Sequence, residues 1–241
     1  MTILLALDSS TDQMAVAVSS PSGRTLIDQP GGAQASATLL PQALALLAQA
    51  DLSLADVDAI AFGRGPGAFT GLRTACAVVQ GLAFGAGKPV LALDSLMIVA
   101  EDARQQAVAA AAPLEGLIWV AMDARMGEIY AAAYRFEGAA WITVDAPALY
   151  SPAALLGHWQ CPAAVAGSAL GVFAEQLGSP ARSWPTSVSR AAAIAALAEQ
   201  AWARGEATDA ATALPVYVRD KVAQTTAERL AARAALTVVA P

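Results

Sequence analysis

The chain has 241 residues, 56% of them hydrophobic and 14% charged, and its mean hydropathy of +0.50 comes largely from alanine. Its formal charge of −6, with 14 Lys and Arg in total, excludes the basic surface of a protein that grips nucleic acid by itself. No run of about 20 consecutive apolar residues occurs, and the start MTILLALDSS lacks a basic segment, so we expect neither a membrane span nor a signal peptide.

The cysteines and the single histidine limit the chemistry further. Cys76 and Cys161 lie far apart without a CxxC motif, so we expect no disulfide framework, no zinc knuckle and a reducing, cytoplasmic location. His158 alone cannot supply an HxxxH or HExxH metal motif, and no nucleophile-elbow sequence accompanies it. The sequence therefore predicts no metal site and no catalytic residue.

The first half of the chain predicts three antiparallel strands and then alternating helices and strands. Apolar and small residues favour strands at 3–7, 14–18 and 25–28. A helix is expected at 39–50, with Thr38 as its N-cap and a proline in its first turn.

A glycine-rich loop follows a strand predicted at 59–62 and leads into a helix at 71–86. Another strand is expected at 90–93. Ser95 is then the predicted N-cap of a helix that runs to about Gln106.

The second half repeats this pattern after an alanine-rich joint at 107–116. An offset of 115 residues (123 minus 8) places the segment at 3–8 over the segment at 118–123. The same offset places Gly23 over Gly138 without a gap. We therefore expect the strand–Asp-turn–strand–Gly-turn–strand unit to occur twice.

The remaining elements complete the second unit. Ser151 is expected to open a short helix, a strand follows at 163–166, and a helix at 189–204 ends at a glycine. A last helix is predicted to begin near Thr225, where Glu228 completes a capping box. We expect this last helix to pack back on the N-terminal half.

Two βββαβα units, each with an aspartate after its first strand, predict a duplicated α/β fold of the actin/Hsp70 (ASKHA) kind, built from two ribonuclease-H-like lobes. The N-terminal lobe is assigned to residues 1–106 and the C-terminal lobe to residues 107–241. In ATPases of this fold the two aspartate-bearing turns face each other across a cleft and hold phosphates and magnesium.

Asp8 could serve in this way, with the hydroxyl groups of Ser9, Ser10 and Thr11 as further ligands. The alternative is that the aspartate only bonds its own turn as an Asx-turn. For Asp123 the local turn is favoured, because a single glycine follows it where a pyrophosphate needs several close backbone N–H groups.

The glycine loop GRGPGAFTGLR, residues 63–73, matches no complete phosphate motif. Thr70 stands where GxGxxG requires a third glycine, although Gly65 and Gly67 remain candidates for phosphate contact. A helix start can still attract an anion. Arg73 opposes the helix dipole there, so it is expected either to have a carboxylate or phosphate partner or to be solvated.

The helices predicted at 39–50 and 71–86 contain one charged residue between them, Arg73. Helices that are apolar on all sides are buried on all sides. Either the chain's second half or a partner must cover them, and a partner is favoured, because uncovered they would form a large apolar patch. We expect Val79→Asp to abolish association without unfolding the monomer. The predicted partner interface comprises Leu39, Leu40, Leu44, Leu47, Arg73, Cys76, Val79, Gln80 and Ala83.

Six segments, in order along nearly the whole chain, carry a resemblance to a known family. They are LALDSST (5–11), LLP (39–41), GRGPGAFTGLR (63–73), QGLAFG (80–85), DARMGEIYAA (123–132) and PVYVR (215–219). With these segments the chain resembles the TsaB/YeaZ family, a subunit of the bacterial machinery that makes threonylcarbamoyladenosine in tRNA.

This resemblance implies an actin-like two-lobed fold and a scaffold without catalysis of its own. It implies a TsaD-type paralogue as dimer partner, contacted through the two N-terminal-lobe helices, and a TsaE-type ATPase that joins the pair. A homodimer is expected when the partner is absent, and tRNA is met only through the complex. No cofactor is required, and weak binding of ATP or ADP is left open at the phosphate site.

Two departures bear on these implications. The paralogue holds its metal with an HxxxH motif, and the matching positions here are Ser95 and Val99. Relatives often carry histidine before the LLP helix, where this chain has Gln34, Ala35 and Ser36. The alternative from another class is an actin-like ATPase or small-molecule kinase, which ATP hydrolysis by the isolated chain would reveal.

Overall fold

The structure is a computed structural model and describes residues 2–219. The helix predicted near Thr225, together with its packing on the N-terminal half, lies outside the described residues. Within residues 2–219 the chain forms two five-stranded sheets and seven α-helices.

The first sheet is formed by residues from the first half of the chain. Its strands are β1 (Leu4–Asp8), β2 (Gln13–Ser20), β3 (Gly23–Pro30), β4 (Ala59–Gly63) and β5 (Val90–Leu93). Their spatial order is β3-β2-β1-β4-β5. The β1–β2 and β2–β3 pairs are antiparallel, whereas β1–β4 and β4–β5 are parallel.

The second sheet repeats this topology with residues from the second half. Its strands are β6 (Leu117–Asp123), β7 (Ile129–Glu137), β8 (Ala140–Tyr150), β9 (Ala164–Ala166) and β10 (Arg182–Trp184). The order β8-β7-β6-β9-β10 and the strand directions match those of the first sheet. The predicted duplication is confirmed, and each unit continues with one more strand and helix after its βββαβα core.

The helices form three layers around the two sheets. They are α1 (Ala35–Gln49), α2 (Phe69–Ala86), α3 (Ser95–Ala109), α4 (Pro152–Trp159), α5 (Ala169–Val172), α6 (Ala174–Leu177) and α7 (Arg190–Ala203). Helices α1 and α2 cover the outer face of the first sheet. Helices α3 and α7 lie between the two sheets, and α4 and α5 cover the outer face of the second sheet.

The alternation of side chains along each strand builds these layers. On β1, Leu5 and Leu7 point towards α1 and α2, whereas Leu4 and Ala6 point into the central layer. The central layer is rich in alanine, which lets helices and sheets approach closely.

Each helix of the central layer packs on the sheet that the other half of the chain forms. Helix α3 comes from the first half of the chain but packs on β6, β7 and β9, and α7 comes from the second half but packs on all five strands of the first sheet. The division at residues 106 and 107 stays a prediction, and the packing of these two helices crosses it.

Two predicted helix starts are wrong. Helix α1 begins four residues earlier than expected, with Gln34 as its N-cap, so Pro41 lies inside the helix. Thr38 does not cap, because its hydroxyl donates to the Gln34 carbonyl oxygen at 2.9 Å from within the first turn. Helix α3 is capped by Asp94 instead of Ser95, and the Asp94 carboxylate accepts from Leu96 N at 2.9 Å.

The helix starts predicted at Ser151 and Ser189 are confirmed, and both serines are N-caps. Each hydroxyl accepts from the backbone N–H three residues on, at 3.3 Å from Ala154 and 3.0 Å from Ala192. Helix α7 ends before Gly205, whose φ of +71° favours glycine. Strand β10 and the short helices α5 and α6 were not predicted.

Candidate functional site

The carboxylate of Asp8 lies at the carboxyl end of β1 and is fully buried. Its Oδ2 accepts from Arg190 Nη2 at 2.6 Å and from Arg190 Nε at 3.1 Å. Arg190 opens α7 and is itself 3% exposed. A charge at this depth requires a compensating partner, and the guanidinium is that partner. No spacing in the sequence links two residues 182 positions apart, so Arg190 was missed.

The serines beside Asp8 also have internal partners. Ser10 Oγ donates to Asp8 Oδ2 and accepts from Arg190 Nη2, both at 3.0 Å. Ser9 Oγ donates to the Gly71 carbonyl oxygen at 2.8 Å. Among the described residues, Thr11 Oγ1 bonds the backbone of Gln13 in its own turn. The phosphate role of these residues stays a prediction, and the side chains of Asp8, Ser9 and Ser10 already have bonding partners inside the protein.

The glycines of the loop at 63–73 allow it to press against this turn. A Cβ atom on Gly71 would lie 1.8 Å from Ser9 O, and one on Gly67 would lie 2.3 Å from Ser10 O. Ala68 N also donates to Ser10 O at 2.7 Å. Only glycine permits such an approach of two backbones. The loop therefore fixes the start of α2 against the β1–β2 turn.

The two aspartate-bearing turns face each other across a cleft of about 440 Å³. Ser10, Thr11 and Asp12 line one side, and the segment at 122–126 and Tyr130 line the other. Burial raises the pKa of the Tyr130 hydroxyl. The predicted cleft is therefore present, but its walls are largely apolar and the Asp8 carboxylate is not among its lining groups.

Asp123 differs from Asp8 and forms the local turn that the sequence favours. Its Oδ1 accepts from Arg125 N at 2.9 Å, and its Oδ2 accepts from Arg125 Nη1 at 3.1 Å. The Arg125 side chain is 79% exposed. The Asp123 side chain is only 10% exposed, so the pair joins a largely covered carboxylate to a solvated guanidinium at the rim of the cleft.

A buried carboxyl that forms no ion pair within residues 2–219 lies at the start of α3. Tyr134 Oη donates to Asp94 Oδ2 at 2.6 Å. Burial raises the pKa of the Asp94 carboxyl, and burial together with the charge of Asp94 raises the pKa of Tyr134 well above its ordinary value. These groups hold α3 on the second sheet and do not line the cleft.

Residues 208–219, here called the return segment, run back from the second half along α2 and across the cleft. Ala213 O accepts from Gln80 Nε2 at 2.8 Å and from Cys76 Sγ at 2.9 Å. At the cleft, Val216 N donates to Arg64 O at 2.7 Å. The return segment therefore covers one flank of α2.

The return segment ends on the second sheet's turn. Arg219 Nη2 donates to Glu128 Oε2 at 2.5 Å and to Ala124 O at 3.1 Å. Sequence reasoning assigned no role to Tyr217 or Arg219, although both lie in the PVYVR segment. Their contacts tie the glycine loop to the β6–β7 turn across the cleft mouth.

Five side chains of the predicted partner interface lie in the chain's own core. They are Leu39, Leu47, Cys76, Val79 and Ala83, each at most 5% exposed. They hold α1 and α2 on the first sheet. The expectation that α1 and α2 are apolar on all sides and need external cover all round is therefore corrected, because one face of each is covered by the sheet. Val79→Asp would place a charge in this core and is not a clean test of association.

The opposite face of the same two helices is exposed and almost free of charge. Here it is called the α1–α2 face. Leu40, Leu44 and Phe84 on it are 39%, 45% and 61% exposed. At 100° per residue, the exposed residues of α2 share one side of the helix, and small residues flank Phe84. The α1–α2 face comprises Ala37, Leu40, Pro41, Leu44, Ala45, Ala48, Thr70, Arg73, Ala77, Gly81, Phe84 and Gly85.

Arg73 is the single charged side chain of this face. Its guanidinium carbon lies 3.8 Å from the centroid of the Phe69 ring, and its Nε donates to Tyr217 Oη at 2.9 Å. No carboxylate within residues 2–219 lies within ion-pair distance of it. The internal carboxylate partner expected for Arg73 is thus not found in this part of the chain, and aromatic rings take its place.

Two features are absent from residues 2–219. No cluster of three or more His, Cys, Asp and Glu side chains is arranged there to hold a metal ion. None of the helices found there combines the length and apolarity that crossing a bilayer requires.

The repeated topology and the cleft between two aspartate turns define a protein of the actin-like fold, in which an internal ion pair occupies the first turn. Comparison with known proteins gives a family. Residues 22–240 match a family described as "TsaD: tRNA N6-adenosine threonylcarbamoyltransferase". The Escherichia coli protein named "tRNA threonylcarbamoyladenosine biosynthesis protein TsaB" is 30% identical over 228 residues, which is 91% of this chain and 96% of that protein.

Further similar proteins carry the names TsaB or YeaZ. A Haemophilus influenzae protein of the same name is 41% identical over 127 residues, and this match spans about half of each chain, 53% here and 51% there. A Pseudomonas aeruginosa structure described as "YeaZ" covers 90% of this chain and 100% of its own, with 35% identity and a TM-score of 0.79. A second, described as similar to "peptidase YEAZ", has 37% identity and a TM-score of 0.81 over 91% of this chain and 100% of its own. The chain therefore belongs to the matched TsaD-type family and, within it, to the TsaB/YeaZ branch.

Proposed function

We propose that this chain is a non-catalytic subunit in the synthesis of threonylcarbamoyladenosine in tRNA, and that it docks on a TsaD-type paralogue through the α1–α2 face. The observation that carries the proposal is the exposure of Leu40, Leu44 and Phe84 on a surface with one charge. A contiguous apolar surface of this kind is typical of a protein interface.

The proposed identity of the partner is based on the sequence similarity of this chain to named proteins. The E. coli and H. influenzae relatives carry names from threonylcarbamoyladenosine biosynthesis, and the matched family is described as the transferase itself. A scaffold and a transferase with the same fold could pair through equivalent helices in a pseudo-symmetric dimer. Within this proposal a TsaE-type ATPase joins the pair in the cytoplasm, tRNA is bound only through the complex, and the chain self-associates when its partner is absent.

The internal bonds of the Asp8 turn support the absence of catalysis. The carboxylate that would hold a metal–phosphate group is paired with Arg190, and the glycine loop is closed against the same turn. His158 contacts the Asp145 carboxylate and stacks with Tyr150, and neither partner is a serine or cysteine nucleophile. This arrangement supports neither a kinase nor a peptidase, and any binding of ATP or ADP in the cleft is weak.

The docking proposal is tested by isothermal titration calorimetry of this chain with the TsaD-type paralogue of the same organism. We expect a complex, and we expect Leu44→Glu and Phe84→Glu each to weaken it at least about tenfold, because each places a charge in an apolar interface. Val144→Glu is the matched control, since Val144 is 48% exposed but lies on β8 of the other sheet. Equal affinities for all four proteins would refute docking through this face.

The absence of catalysis is tested separately by measuring ATP hydrolysis by the purified chain. We expect no turnover above that of a heat-denatured sample. Sustained hydrolysis by the isolated chain would favour the actin-like ATPase or kinase instead.

A further inference from the structure

We propose that Arg73 is the polar anchor of the α1–α2 face, and that the docked partner, a protein other than a second copy of this chain, places a carboxylate against its terminal nitrogens. This inference rests on the proposed function and adds the chemistry of the partner surface. On α2, Arg73 is in line with Ala77 and Phe84, one and three turns further along the same exposed side.

The Arg73 side chain is already oriented before any partner arrives. The Phe69 ring lies beneath its guanidinium at 3.8 Å, the Tyr217 ring centroid lies 5.8 Å away, and the Tyr217 hydroxyl accepts from Nε. The face of the guanidinium and one edge are therefore used within the chain, and Nη1 and Nη2 have no bonded acceptor among residues 2–219. Holding an arginine in one orientation lowers the entropy lost on binding.

The charge of Arg73 is uncompensated in its surroundings. Helix α2 has no acidic residue in its first turn, so its dipole adds positive potential near Arg73. Seven of the eleven Lys and Arg residues in the described part of the chain form ion pairs, and Arg73 is not among them. If the α1–α2 face is covered, this cation is desolvated and must meet an anion, because a buried unpaired charge is costly.

The composition of the face decides between anions. A nucleic acid would require several cations along its backbone, and the α1–α2 face supplies one among apolar side chains. A carboxylate fits the two free terminal nitrogens in a bidentate pair. The partner surface is therefore apolar with one Asp or Glu placed to reach Arg73.

The α1 and α2 helices of a second copy of this chain do not supply this carboxylate. Helices α1 and α2 together contain no Asp or Glu, so a symmetric pairing of these helices brings no carboxylate of theirs to Arg73. Self-association through these two helices alone therefore supplies no carboxylate to the guanidinium. We expect a homodimer to be weaker than the heterologous complex for this reason.

The test compares wild type, Arg73→Gln and Arg73→Lys in calorimetric titrations with the TsaD-type paralogue, at salt concentrations from about 50 mM to about 300 mM. We expect Arg73→Gln to weaken binding at least about tenfold and to remove most of the salt dependence. Arg73→Lys should keep the salt dependence but bind more weakly than wild type, because an ammonium lacks the planar, bidentate geometry. Arg135→Gln, an exposed arginine on β7, should match wild type.

Sedimentation equilibrium of the chain alone supplies the second readout. Arg73→Gln should leave self-association unchanged or strengthen it, since the uncompensated charge is gone. The inference is overturned if wild type binds the paralogue and Arg73→Gln binds equally well, or if Arg73→Gln weakens self-association as much as it weakens the complex. Failure of wild type to bind the paralogue would instead refute the proposed function.

Discussion

The turns after β1 and β6 occupy equivalent places in the two halves of the molecule, yet their aspartates have different surroundings. Asp8 is fully buried, bonded by Arg190 from the opposite half and enclosed by the glycine loop. Asp123 bonds its own turn and an arginine that is 79% exposed. Aspartates at the same topological position therefore form a buried ion pair between the two halves in one case and stabilise a local turn in the other.

The largest loss of unfolding free energy is expected when the buried ion pair between Asp8 and Arg190 is broken. Arg190→Met removes the cation and leaves Asp8 ionised inside the protein, which should cost about 3–5 kcal/mol of the free energy of unfolding. Urea denaturation measures it. The double variant Asp8→Asn/Arg190→Met should recover part of this loss, because no unpaired charge remains. A cost below about 1 kcal/mol for the single variant would show that the pair is not isolated from water.

A smaller effect is expected from the glycine loop. Gly71→Ala would force a methyl group against Ser9 O, 1.8 Å from the ideal Cβ position, so we expect a loss of about 1–3 kcal/mol. Gly81→Ala is the matched control on the same helix, since nothing lies within 4 Å of its added Cβ. It should be neutral or stabilising by up to about 1 kcal/mol. Equal unfolding midpoints for both variants would contradict the close approach of the two backbones.

The smallest effect is expected at the β6–β7 turn, where Arg125 is exposed and the Asp123 side chain is 10% exposed. Asp123→Ala removes an ion pair with a solvent-exposed arginine and one backbone hydrogen bond, and we expect a loss below about 1 kcal/mol. Chemical denaturation on the same instrument as for Arg190→Met makes the comparison direct. A loss as large as that of the buried pair would mean that the two turns are energetically equivalent after all.

Local chemistry explains which parts of the fold were predictable. Strand alternation and the helix starts at Ser151 and Ser189 depend on residues close in sequence, and the duplication follows from such a local pattern occurring twice; each is confirmed. The predicted start of α1 was wrong because it assumed that Pro41 lies in the first turn, where proline is common. In the structure a 3₁₀ turn at Gly32–Gln34 leads into the helix, which begins at Ala35.

The site was less predictable because its decisive contacts are long-range. The cleft between two aspartate turns follows from the duplication. The ion pair between Asp8 and Arg190, however, depends on the packing of α7 on the first sheet. Likewise, the lack of charge on α1 and α2 indicated an interface without telling which side faces the core. Burial of Leu39 and Val79, and exposure of Leu40 and Phe84, required the packing on the sheet.

The crossing of α3 and α7 has a consequence for how the chain holds together. Each sheet is capped on its inner side by a helix that the other half encodes, so neither half can exclude water from its own strands alone. A cut in the connection at 110–116 would leave two pieces that still need one another. We therefore expect the two halves to unfold together in one cooperative transition.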